Sequence, residues 1–131
     1  MADSYAVSAR RSGAATATVS NGTAAVEVGG PGLTPVELLL GSVASCMLAT
    51  MVDHALRNAI PSDDLHVEVS GEMANRPRRV GVVRAVVHPG PGVTPEQAEA
   101  LLRAAHRCPV HTTLEQQPQL EITLGQSQSQ A

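Results

Sequence analysis

Phenylalanine and tryptophan are missing from the chain, and Tyr5 is the only tyrosine. A core must therefore be built from Ala, Val, Leu, Ile and Met, whose side chains each cover little area, while burial returns only about 25 cal/mol per Å². With 131 residues and 43% apolar composition, the chain fits one domain with a modest core, and self-association is expected to supply the missing burial. A basic excess is also lacking. The net charge is −3, so nothing electrostatic favours nucleic acid as a partner. The one basic run, Arg76-Pro77-Arg78-Arg79, reads as a solvated hairpin tip. The N-terminal MADSYAVSARRS lacks the apolar stretch of a secretory signal, so export is unsupported and a cytoplasmic location is expected. The longest apolar run, Leu38 to Val52, falls short of the roughly 20 residues that cross a bilayer and is interrupted by Gly41, Ser42, Ser45 and Thr50, so no membrane partner is expected. No G-x-G-x-x-G, P-loop, H-E-x-x-H or G-x-S-x-G pattern occurs, and no cofactor is expected. Cysteine is scarce as well: Cys46 and Cys108 are the only two. In a chain that is not exported both stay reduced, and a disulfide would be transient and catalytic rather than a structural staple.

The local signals that are present order themselves clearly. Asn21-Gly22 lies between two runs of small and β-branched residues and predicts a hairpin with a type I′ turn. Gly29-Gly30-Pro31-Gly32 then breaks regularity. Thr34, Pro35 and Glu37 form a capping box with proline at the first helical position, so a helix starts at Pro35 and runs to about Asn58, ahead of Pro61. Apolar residues occupy nearly every face between Leu38 and Met51, the pattern of a helix surrounded on most sides. Leu65 to Gly71 and Val80 to His88 predict an antiparallel hairpin turning at Asn75-Arg76-Pro77. A second capping box, Thr94 to Gln97, opens a helix with the stripe Ala98, Leu101, Leu102, Ala105, which Pro109 must interrupt. Leu120 to Leu124 reads as a closing strand. The fold class is α+β, with one domain over residues 1–124 and a disordered polar tail over 125–131.

Each cysteine admits two readings. Cys46, among Val43, Met47 and Leu48, fits a small buried hydrophobe; as a reactive thiol it would need an arginine or histidine brought from elsewhere. Cys108 precedes Pro109 and so can cap a new helix, where free amides and the helix dipole favour a thiolate, with His106, Arg107 and His111 adding charge. It is equally readable as a cysteine tolerated at a helix break. His106, Cys108 and His111, with His54 as a fourth, match none of the strong zinc spacings, and no metal is expected there.

Three stretches together, T-P-V-E-L-L-L-G-S-V-A-S-C ending at Cys46, V-x-V-x-G-E from Val67, and A-x-x-C-P-V around Cys108, resemble the OsmC/Ohr family, the osmotically inducible and organic hydroperoxide resistance proteins. The resemblance runs from about Gly32 to Leu124. It implies an intertwined homodimer with antiparallel curved sheets packed on a long central helix. It further implies reduction of organic hydroperoxides, with Cys46 as peroxidatic thiol, Cys108 as resolving thiol and a dithiol as reductant. An apolar pocket around Cys46, with Met47 and Met51 as candidate walls, would favour a substrate with a carbon tail. The resemblance also implies an arginine from the N-terminal strand region, here Arg10 or Arg11, held by a glutamate at the start of the long helix. The family's acidic position falls on Val36, and Glu37 stands one place later. Nine residues before Cys46 is about half a turn out of phase, and the capping box already employs Glu37. That departure marks a divergent member. The competing reading is a module of the same fold that binds an apolar small molecule or senses oxidation without turnover.

Overall fold

The computed structural model describes residues 4–125. Strand β1 (Ser8–Arg11) pairs antiparallel with β2 (Thr16–Ser20), which pairs antiparallel with β3 (Ala25–Gly29), giving a three-stranded meander. The β2–β3 connection is not the two-residue turn that Asn21-Gly22 predicts. Ser20 pairs with Ala25, so the loop holds four residues, and only Gly22 has positive φ (96°). Asn21 acts through its side chain instead: Oδ1 accepts from the amides of Thr23 and Ala24 at 2.9 and 2.8 Å. This is the local hydrogen bonding that lets asparagine mimic a backbone turn.

Helix α1 (Pro35–Arg57) begins where the capping box places it, with Asn58 as C-cap. At 23 residues and mean hydropathy 1.7 it is, by length and composition, long enough to cross a membrane, which revises the expectation drawn from the shorter run from Leu38 to Val52. Its packing within the chain is one-sided. Val43, Met47, Met51 and Ala55 are buried, at the four-residue spacing that stacks side chains on one helical face. Leu39 and Leu56 are exposed, and only 17% of the apolar window is buried, so the chain does not surround α1 as its composition suggests.

Strands β4 (His66–Ala74) and β5 (Arg79–His88) form the second sheet, antiparallel, with an irregularity between Glu72 and Met73. Val67, Val69 and Val87 face the core. At the far end the arginines are solvated, Arg78 and Arg79 donating to the side chain and carbonyl of Asn75. Helix α2 (Pro95–Ala105) buries Leu101, Ala104 and Ala105 and leaves Leu102 at the surface. Pro109 ends its run as expected and starts α3 (Pro109–Glu115), with Cys108 as N-cap. The principal core joins Val43, Met47, Met51 and Ala55 of α1 to Leu101, Ala104, Ala105 and Cys108, closed by Ile60 and Leu65. No residue of β1, β2 or β3 belongs to it.

The expected closing strand is not formed. Leu120, Ile122 and Leu124 are 80%, 84% and 96% exposed, because no strand edge of the chain reaches them. The expected tail lies, beyond Gly125, outside the described residues. The chain exposes 10051 Å², whereas a compact monomer of its mass exposes roughly 6,500 Å². Exposed apolar side chains such as Val26, Leu39, Leu56, Leu120, Ile122 and Leu124 contribute to that excess.

Candidate active site

The long helix and the α2–α3 junction bring the two cysteines together. Cys46 is half-buried on α1, between the buried Val43 and Met47, and packs against the core that contains Cys108. Cys108 is fully buried. The Cys46 side chain is near enough to perturb the Cys108 thiol, and both cysteines are free. The residues distant in sequence meet because α3 packs on α1 and Pro109 forces the chain to restart as a helix at that point.

The electrostatics of Cys108 differ from what its capping position suggests. It does cap α3: the His111 amide donates to Sγ at 3.5 Å. Yet burial pushes the thiol pKa up, the neighbouring Cys46 thiol adds to the rise, and the amides of His111 and Val110 only partly oppose it. Desolvation of the charged form outweighs two backbone donors. Burial thus favours the protonated thiol at Cys108. The His111 ring is turned to other partners. The ring Nδ1 lies 3.2 Å from the His106 carbonyl and Nε2 lies 3.5 Å from Glu115.

The supporting residues are elsewhere. Glu37 is exposed, and its carboxylate accepts from the Thr34 amide at 2.9 Å while its own amide donates to Thr34 Oγ1 at 3.1 Å. These bonds, the backbone one first, hold its pKa below the usual carboxylate range. Arg10 and Arg11 are exposed on β1, opposite Thr18 and Ala17, and Arg11 Nε donates to the Gly13 carbonyl at 2.9 Å. Strand β1 shares its extended contacts with β2 alone. Neither arginine is thus delivered to Cys46 by its own chain, and Glu37 has its partners in the cap.

Beside the thiol pair lies an apolar cavity of about 370 Å³. Val43 and Met47 form one wall, Val83, Ala85 and Val87 another, and His106 and His111 stand at its polar side. Met51, expected as a wall, is instead fully buried in the core. The β5 wall is legible in retrospect, since residues 83, 85 and 87 share a face of the strand. Neither cysteine lines the cavity directly; Val43 and Met47, which flank Cys46 on α1, do.

Among curated proteins none matches in sequence. Solved structures do match in fold. An OsmC-like protein from Mycoplasma pneumoniae superposes with TM-score 0.73 at 21% identity, over 89% of this chain and 91% of that one. A hypothetical protein from Aquifex aeolicus gives TM-score 0.79 at 18% identity, over 88% and 90%. An organic hydroperoxide resistance protein OsmC from Legionella pneumophila gives 0.63 at 18% identity, over 86% and 90%. The family model described as OsmC-like protein matches residues 28–123, which contain both cysteines and every element from the end of β3 to α3. The chain belongs to the OsmC-like protein family.

Proposed function

We propose that the protein is a cysteine-based peroxidase that reduces organic hydroperoxides, working as a homodimer in the cytoplasm. The observation that carries this reading is the convergence of the free Cys46 and Cys108 on one small region of the core, beside an apolar cavity. The Cys46 thiolate attacks the outer oxygen of R–O–OH; the O–O bond breaks, Cys46 becomes a sulfenic acid and the alkoxide leaves as the alcohol after protonation. Cys108 then attacks the Cys46 sulfur, expelling water and forming a disulfide, before further oxygens can be added. A dithiol returns two electrons by exchange and releases both thiols. The cavity favours a substrate with a carbon tail over hydrogen peroxide, because burying that tail contributes binding energy.

The dimer is supported by surface area and by charge. An excess of roughly 3,500 Å² on each chain leaves ample surface for a permanent homodimer interface, which buries about 2,000–5,000 Å² counted over both partners. Attack by Cys46 as a thiolate calls for a nearby cation, and a second copy, whose β1 carries Arg10 and Arg11, is the economical source. Sedimentation of the full chain is expected to give the mass of two chains.

The missing intrachain arginine is also the one observation that favours the competing reading, an OsmC-like module that binds an apolar molecule or senses oxidation. Peroxide consumption with a dithiol reductant separates the two. Cys46→Ser is expected to abolish multiple turnover of cumene hydroperoxide. Turnover persisting in that variant would remove the peroxidase reading, and its absence from the unaltered protein would favour the module.

A further inference from the structure

The open end of the β4–β5 hairpin carries chemistry that the thiol site does not use. His66 and His88 are directly opposed across the strands, and Glu68 follows His66 on the same face, two residues on. That face is the outer one, since Val67, Val69 and Val87 between them point to the core. The imidazole rings stack with centroids 4.6 Å apart and planes 13° from parallel. The ligand atoms of His66, Glu68 and His88 all lie within 4.8 Å of one another.

Two details go beyond proximity. Asp64 takes a left-handed conformation (φ 61°), and its carbonyl lies 2.8 Å from His66 Nδ1. A proton on Nδ1 then bonds to that carbonyl, leaving Nε2 with a lone pair, the arrangement by which an outer carbonyl orients a metal-binding histidine. His88 Nε2 is closed off from solvent and lacks an aligned hydrogen bond, although a Glu68 carboxylate oxygen lies 2.5 Å away. The flanking segments are held close, because a Cβ on Gly90 would fall 1.7 Å from the Asp63 carbonyl oxygen. The ends of the two strands are thus fixed before any ligand arrives.

We propose that His66, Glu68 and His88 form a binding site for a late first-row divalent cation, which would clasp the open end of the hairpin. Two imidazoles and a carboxylate suit Zn²⁺, Ni²⁺ or Cu²⁺ and not the hard cations, which take oxygen ligands. Tetrahedral Zn²⁺ with bonds of about 2.0–2.1 Å sets its ligand atoms roughly 3.3 Å apart. The present separations, 2.5 Å between His88 Nε2 and Glu68 and at most 4.8 Å among all three groups, bracket that spacing. The sequence does not announce the site: the two histidines are far apart along the chain, and only the strand register pairs them.

Zn²⁺ titrated calorimetrically into the metal-free full chain is expected to bind at one per chain. His66→Gln and His88→Gln should each weaken it by more than about tenfold. Co²⁺ as a second probe should show no thiolate charge-transfer band, which separates this site from the cysteines. In the unaltered protein, Zn²⁺ should shift the ring resonances of His66 and His88 and spare His106 and His111; this measurement stands if either variant fails to fold. The proposal is overturned by Zn²⁺ binding equally well to both glutamine variants, by ring shifts confined to His106 and His111, or by no binding at millimolar Zn²⁺.

Discussion

Replacing Cys108 by serine exchanges one atom at a fully buried position and separates the structural work of that sulfur from its chemistry. A hydroxyl left unsatisfied there would cost about 1–3 kcal/mol. The same hydroxyl can accept from the His111 amide, as Sγ does at 3.5 Å, and serine is a preferred N-cap whose bond is worth about 1 kcal/mol. The two effects nearly offset, so a net loss of about 0–2 kcal/mol is expected and the variant folds. Its oxidation should differ in kind. With no resolving thiol, Cys46 is expected to stop at the sulfenic acid after one equivalent of cumene hydroperoxide and to gain further oxygens with excess, as intact mass would record. The assay is run without reductant, because a small dithiol could itself capture the sulfenic acid. A Cys108→Ser protein that takes up no oxygen at Cys46, or that is oxidised no further in excess peroxide, would refute the assignment of a first and a second thiol.

Two further outcomes follow from the geometry. Glu37→Gln keeps a capping box, since glutamine at that position can also accept from the Thr34 amide, and it should leave peroxide reduction within about twofold, whereas Thr34→Ala should cost about 1 kcal/mol in chemical denaturation. A large loss of activity in Glu37→Gln at unchanged stability would assign Glu37 to the thiolate's support. The raised pKa of Cys108 means the folded state holds its proton longer than the unfolded chain, whose thiol ionises near about 8.5. That stabilisation is complete below this pH and is lost as pH rises through the folded value. Denaturation of the reduced protein at successive alkaline pH values should show stability declining, and Cys108→Ala should flatten the decline; an equal slope in both would contradict the burial argument.

Much of the architecture is written in local signals. Thr34-Pro35-x-Glu37 and Thr94-Pro95-x-Gln97 fix two helix starts, and Pro109 fixes a third, because each rests on donors within one turn of chain. The β2–β3 turn was half legible: Gly22 takes positive φ, but Asn21 found a cheaper arrangement through its side chain. Sequence patterns failed where burial depends on what else is present. The apolar α1 reads as enclosed, and Leu120, Ile122 and Leu124 read as a strand, yet the single chain covers neither. At the site, the family motifs pair Cys46 with Cys108, while local chemistry alone ranks Cys108 as the more reactive. Its capping position is visible in Cys108-Pro109; its complete burial, which raises its pKa, depends on α1 packing across it.

The most direct test of the account is the fate of both thiols in the unaltered, fully reduced protein after one equivalent of cumene hydroperoxide per chain. Thiol titration is expected to fall from two groups to none, and peptide mapping to recover Cys46 and Cys108 joined within one chain. Two free thiols after the peroxide is added, or a Cys46 carrying oxygen beside an untouched Cys108, would contradict it.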